Sequence, residues 1–359
     1  MNQAGYHAPW WLRSGHVQTL LGSSPWRQRH GAHVLAATGA ITRAHVVDGG
    51  AGVRLQGLHS VPAGAEPRGF ALLLHGWEGS AESGYMRLAA ARLLQRGYAT
   101  FRLNFRDHGD SHHLNEAIFH SARIDEVVNA SLDAVRRLWP EAGPDRPVVA
   151  AGYSLGGNFA LRLALRAPAA GLPLARVAAG HSLGGNFALR LALRAPDAGV
   201  PLSAVAAVCP VIDPKVTMAQ MEGGRVYLHH FERKWRRSLM RKRALFPSVH
   251  DFDDRTLHLG MRDLTEWLVL RHTDFGTLDD YFDGYSIAGD RLAGLRVPAR
   301  ILMAADDPVI PIAEFHALQL PGSAVLEVAE HGGHCGFLLG AGLDGFAEPW
   351  VADHLTHPL

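Results

Sequence analysis

The chain has 359 residues, 47% of them hydrophobic and 19% charged, with a formal net charge of +1. This composition supplies a large core and excludes global disorder, and the near-neutral balance excludes a general pull toward nucleic acid or membrane. Two cysteines, Cys209 and Cys335, make no disulfide framework. With no basic-then-apolar leader in MNQAGYHAPWWLRSGHVQTL and no apolar run of about 18 residues, a cytoplasmic protein is expected.

Residues 1–45 read as an N-terminal extension carrying Trp10, Trp11 and Trp26, to which no chemistry attaches. From about residue 70, short apolar runs alternate with helical patterns. GFALLLHG (69–76) reads as a strand ending in a turn, and YMRLAAARLLQRG (85–97) as a crossover helix stopped by glycine. YATFRLNFRDHG (98–109) is a second strand. RIDEVVNASLDAVRRLW (123–139) is a second helix, acidic early and basic late as the helix dipole favours. RPVVAAG (146–152), SAVAAVCPVI (203–212), ARILMAADD (299–307) and SAVLEVAEHGGH (323–334) complete the strands. Uniformly apolar strands separated by helices imply a parallel sheet covered on both faces. Residues 214–295 break the rhythm, being charged, aromatic, histidine-rich and helical in period, and read as a cap inserted into a core of 46–213 and 296–359.

One peptide occurs twice. AAGYSLGGNFALRLALRAP starts at Ala150 and AAGHSLGGNFALRLALRAP at Ala178; the units 151–178 and 179–206 differ at five positions. One period spans an elbow, a helix, a loop and the start of a strand. It is therefore a single βα unit and not a solenoid repeat.

Each copy carries Gly-x-Ser-x-Gly between a predicted strand and a predicted helix, the setting of a nucleophile elbow. Ser154 is the candidate nucleophile in the first copy and Ser182 in the second. Strand propensity favours the first, since RPVVAAG carries paired valines and LARVAAG one valine and an arginine. A serine needs a base and the base an orienter. Asp307, at a strand end before Pro308, is the preferred acid, with Asp306 as a turn residue. His334, after the last strand between Gly333 and Cys335, is the preferred base, with His331 its rival. Cys335 reads as a small packed residue. An oxyanion hole is expected from the amides of Trp77 and of the residue after the nucleophile, Leu155 or Leu183. His75 reads as a brace for that turn.

The loop DHGDSHHLNE gathers Asp107, His108, Asp110, His112, His113 and Glu116. No zinc spacing appears in it, so neither metal nor organic cofactor is expected, and a metal-dependent hydrolase is kept only as a rival class. FERKWRRSLMRKRALF (231–246) is a basic helix with Phe231, Trp235 and Leu239 on one stripe. It reads as a packed cap helix, with weak contact to a membrane surface as the alternative. No nucleic-acid motif accompanies the charge.

Taken together these residues resemble the α/β-hydrolase superfamily, in its YheT-like branch. The matching pieces run in order through GHVQTL (15–20), LLLHGWEGSAESGY (72–85), RLNFRDHGDSHHLNEAIFHSARIDEVV (102–128), GYSLGGN (152–158), CPVIDP (209–214), DDPVIP (306–311) and HGGHCGF (331–337). The resemblance implies a mostly parallel eight-stranded sheet with a helical cap. It also implies a triad of Ser154 or Ser182 with Asp307 and His334, and hydrolysis of carboxylic or lipid-like acyl esters. The doubled elbow departs from that pattern. A unit added to the sheet would widen it by one strand, about 4.8 Å. Ser154 would then stay near Trp77 and drift from His334, and Ser182 would do the reverse. A site broken by the duplication, leaving a binding protein for acyl ligands, is the remaining alternative.

Overall fold

Runs with no polar side chains must be covered on both faces, and here they become the inner strands of parallel sheets. The computed structural model describes residues 2–120, 123–140, 146–152, 174–177, 180–181, 205–273, 275–284, 286–293, 299–322 and 324–356. In chain order the first half contains β1 (Asn2–Gln3), α1 (Gly15–Gly22), α2 (Pro25–Ala37), β2 (Ile41–Gly50), β3 (Val53–Val61), β4 (Gly69–Leu74), α3 (Gly84–Gln95), β5 (Tyr98–Asn104) and α4 (Ile124–Leu138). The repeat region contributes β6 (Val148–Gly152), β7 (Leu174–Val177), β8 (Gly180–His181) and β9 (Val205–Val208). The inserted segment holds α5 (Pro214–Gly223), α6 (Arg225–Leu245), α7 (Asp254–His258), α8 (Met261–His272) and α9 (Leu278–Asp283). β10 (Ala299–Ala304), α10 (Ile312–His316), β11 (Ala324–Ala329) and α11 (Ala347–Thr356) close the chain.

The described strands form two hydrogen-bonded sheets, ordered β2-β3-β5-β4-β6-β7 and β1-β11-β10-β9-β8. All pairs are parallel except β2 with β3 and β3 with β5. Eight of these strands, β2 to β6 and β9 to β11, make up the expected complement. The additions are β1 and the two short segments that lead into the second elbow, β7 at the end of the first unit and β8 at the start of the second. β7 pairs with the first copy's β6, and β8 pairs with β9. The stretch that leads into the second elbow therefore supplies a partner to each sheet.

The N-terminal segment is not an appendage. β1 lies parallel to β11 at a sheet edge, and the expected boundary at residue 45 falls inside β2. Its aromatic residues Trp10 and Trp26 are 79% and 63% exposed, but its helices pack on the core, as described below.

Capping chemistry sets where the cap begins. The Asp213 carboxylate accepts from the amides of Lys215 and Val216, and Pro214 opens α5, where a missing N–H costs nothing. The cap has its own apolar cluster of Trp235, Leu239, Leu257, Met261, Leu264 and Leu268, joined by Ile118 from the core. The stripe of α6 thus faces inward. Among its cations, Arg236 pairs with Glu232, Arg241 with Asp110 and Arg243 with Asp254. Lys242 is buried; its ammonium meets Asp107 at 2.7 Å and donates to the carbonyls of His112 and Asn115. Among the described residues no helix is long and apolar enough to cross a membrane.

Candidate active site

β10 ends in a turn that presents two adjacent aspartates. Asp307 is followed by Pro308, which has no N–H, so the next two amides reach back to the carboxylate. Oδ1 accepts from Val309 at 2.8 Å and Ile310 at 3.0 Å. Oδ2 is left to face the Nδ1 of His334 at 2.9 Å, and the carboxyl group is wholly buried. Asp306 does other work: its Oδ1 accepts from the Gly333 amide at 2.8 Å. His331 approaches Asp306 only to 3.6 Å, beyond hydrogen-bond length. Burial opposes protonation of His334, but the Cys335 sulfur and the Asp307 carboxylate outweigh it and hold the imidazole well above its ordinary pKa.

The loop carrying His334 is fixed by the N-terminal segment, a contact the sequence reading did not anticipate. The Thr19 hydroxyl accepts from the His334 amide at 2.8 Å. Gln18 is fully buried, accepts from Leu338 and donates to Tyr6. Gly333 has φ +57°, and a side chain there would lie 2.2 Å from the Gly15 carbonyl oxygen. The backbones touch, so glycine is required on both counts. The only sequence signal was GHVQTL, which contributed to the family resemblance with no role attached. From the cap, Tyr227 hydrogen-bonds and stacks on His16 of the same segment.

The expected oxyanion loop follows β4. His75 is buried, donates from Nδ1 to the Gly76 carbonyl and accepts at Nε2 from the Phe105 amide. It therefore braces the turn from inside. The amide of Gly76 donates to Tyr85, that of Glu78 to His108 and that of Gly79 to Gly76. Among the described residues no group accepts from the Trp77 amide. The Trp77 indole stacks on Phe231 and meets Trp235 edge-on, so the cap roofs this loop.

Ser154, Leu155, Ser182 and Leu183 lie outside the described residues. The strands leading to them are described in part. β6, which precedes Ser154, lies beside β4, while β8, which precedes Ser182, lies beside β9.

The histidine-rich loop is engaged in holding the cap. Asp107 binds Lys242, Asp110 binds Arg241, and His112 hydrogen-bonds Ser238, all on α6. His108 accepts from Glu78 and hydrogen-bonds its neighbour Arg106. Among the described residues, the histidine, cysteine and acidic side chains that converge at metal-binding distance are Cys209, His334 and Cys335, and none comes from this loop.

Glu78 follows Trp77 in the expected oxyanion loop, and Lys234 of the cap donates to its carbonyl at 3.4 Å. Burial pushes its carboxyl up to about 7, against the attraction of Lys234. A carboxyl raised in the folded state favours folding below its ordinary pKa, and that contribution is lost as pH rises through the folded value. Glu78→Gln is therefore expected to stabilise the protein at pH 8 by about 1–2 kcal/mol, allowing for partial exposure, and to change little at pH 4. Urea melts at the two pH values would show this; equal stability at pH 8 would mean that Glu78 is ionised and satisfied.

The family profile described as "Alpha/beta hydrolase family" matches residues 166–348, just over half of the chain. The chain belongs to the alpha/beta hydrolase family. A second profile of this kind, "Serine aminopeptidase, S33", matches residues 65–176. Each match contains one of the two elbow serines, Ser154 in the second profile and Ser182 in the first. The chain is 27% identical over 309 residues to the Escherichia coli (strain K12) protein named "Putative esterase YheT", covering 82% of this chain and 78% of that one. Among solved structures it resembles one crystal form of the Pyrococcus furiosus esterase Pf2001 at a TM-score of 0.50 and 15% identity, covering 90% of this hydrolase-family chain and 93% of the other. That likeness concerns the fold.

Proposed function

We propose that the protein is a serine hydrolase of carboxylic esters, lipid-like acyl esters among them. The observation that carries this reading is the buried Asp307 carboxylate, held by two amides and set 2.9 Å from the Nδ1 of His334. In its neutral form an imidazole oriented in this way presents Nε2 as a base for a serine hydroxyl, so turnover is expected to rise with pH as His334 loses its proton. The serine attacks the acyl carbonyl, backbone amides receive the oxyanion, and the histidine returns the proton to the leaving alcohol. Water activated by the same imidazole then releases the acid. The YheT likeness and the family support ester chemistry, and the two thiols suit a cytoplasmic setting.

Strand order favours Ser182 as the nucleophile. β8 is separated from β10, which leads to Asp307, by β9 alone. The strand leading to Ser154 pairs with β7 instead and stands about 4.8 Å farther off. A nucleophile must come within about 3 Å of its base. β6, which precedes Ser154, lies beside β4 and so beside the strand that leads to Trp77, whereas β8, which precedes Ser182, does not. Loss of one oxyanion donor costs about 10²- to 10³-fold in kcat, so slow turnover is expected.

The test is a fluorophosphonate probe with the adduct located by peptide mass spectrometry. The two elbow peptides are distinguished by Tyr153 and His181. Label on Ser182 is expected. Label on Ser154 would move the nucleophile to the first copy. No label on either serine of the folded protein would overturn the serine-hydrolase reading and leave a binder of acyl ligands.

A further inference from the structure

The two cysteines are far apart in sequence and play no part in the proposed hydrolysis. Cys209 directly follows β9, and Cys335 follows His334 in the loop after β11. Because β9 and β11 flank β10, the ends of both strands meet beside the Asp307 turn. The two sulfur atoms and a nitrogen of His334 all lie within 4.8 Å of one another. Both cysteines hold left-handed backbone conformations, with φ +43° at Cys209 and +56° at Cys335. Side chains other than glycine rarely adopt these angles unless their surroundings impose them.

We propose that Cys209, Cys335 and the Nε2 of His334 form a binding site for a thiophilic divalent cation, of which zinc is the type. Two sulfurs and one imidazole are the donor set that selects zinc over harder ions. In tetrahedral coordination, with metal–sulfur bonds near 2.3 Å and metal–nitrogen bonds near 2.1 Å, donors stand about 3.6–3.8 Å apart. The two sulfurs need to close by about 1 Å at most. Nδ1 of His334 is already held by Asp307, which leaves Nε2 as the ligand. The carboxylate then orients the histidine toward the metal, an arrangement common at zinc sites. The cation displaces two protons from the thiol–imidazole cluster, so a neutral site replaces a neutral cluster. The fourth position remains for water.

Occupation of the site removes the lone pair that would accept the serine proton. Zinc is therefore also expected to inhibit hydrolysis reversibly. This second consequence rests on the proposed function, whereas metal binding does not.

The experiment is a cobalt(II) titration of the full-length protein, stripped with chelator, dialysed, and kept in a phosphine reductant. It follows the thiolate-to-cobalt charge-transfer absorption and then displaces cobalt with zinc. The expected result is saturation at one cobalt per chain. Cys209→Ser, Cys335→Ser and His334→Gln, each checked for native circular dichroism, are each expected to weaken binding at least tenfold. No saturable band at one equivalent would overturn the site. So would unchanged affinity in His334→Gln, a variant that removes no sulfur. Zinc inhibition with the same midpoint as cobalt displacement supports both parts. One-to-one binding without loss of turnover supports the site and counts against His334 as the base.

Discussion

Replacing His334 with alanine is expected to lower kcat/KM for ester hydrolysis by at least about 10³-fold, because the base and its partners act as a unit. The replacement removes the only imidazole that Asp307 contacts among the described residues. It leaves the backbone bond from residue 334 to Thr19 in place, so the loop keeps its anchor. His331→Ala is the matched control: that ring stands 3.6 Å from Asp306 and is expected to change the rate by less than about tenfold. The pair of variants separates chemistry from loop packing. Near-wild-type turnover in His334→Ala, or an equal loss in both variants, would remove His334 from the mechanism. Fluorophosphonate labelling should slow in the first variant alone, since the probe also requires an activated serine.

Lys242→Met is expected to destabilise the protein by about 3–5 kcal/mol, the usual cost of leaving one member of a buried ion pair without its partner. Asp107 and Lys242 are 5% and 1% exposed as side chains. Burial pushes the carboxyl up and the ammonium down, and their mutual attraction opposes both shifts. The ammonium also satisfies the carbonyls of His112 and Asn115. Methionine fills a similar volume but offers none of these bonds. Such a loss is a large share of the roughly 5–15 kcal/mol that holds a domain folded. Asp107→Asn combined with Lys242→Met should recover part of it, since the uncompensated charge is then gone. Chemical denaturation of the two single variants and the double variant measures the coupling. A single-variant loss below about 1 kcal/mol would mean that the pair is not what fastens the cap. Because the cap also packs Phe231 and Trp235 on Trp77, loosening it should disturb the oxyanion loop as well.

Much of the core was legible because burial on both faces leaves a local trace. β4 is buried at all six positions and reads as an apolar run; β5 is buried at all seven although Thr100, Arg102 and Asn104 stand in it. Glycine after α3 and Asp213-Pro214 before α5 mark helix ends by their own backbone chemistry. Asp307 and His334 could be named because each stands just past a predicted strand beside a proline or a glycine. The stripe of α6 was visible at helical spacing, but its covering was not. Periodicity says that a face is apolar and leaves open whether a cap core or a membrane meets it.

Local pattern thus specified most of the strands and helices after residue 69 and named the two residues, Asp307 and His334, that the fold brings into hydrogen-bonding contact. The placement of distant segments came from the folded chain alone. Thr19 reaches the His334 amide across 315 residues, and the glycines at 15 and 333 matter because two backbones touch. Asp107 and Lys242 pair across 135 residues, and Cys209 meets Cys335 because one strand separates theirs. The repeat is plain in the sequence, yet its two copies are nearly identical there. Strand neighbours distinguish them, since β6 lies beside β4 and β8 beside β9. Propensities differ by tenths of a kcal/mol between such copies, whereas strand pairing fixes position to within one 4.8 Å step. The proposed choice of Ser182 rests on that step.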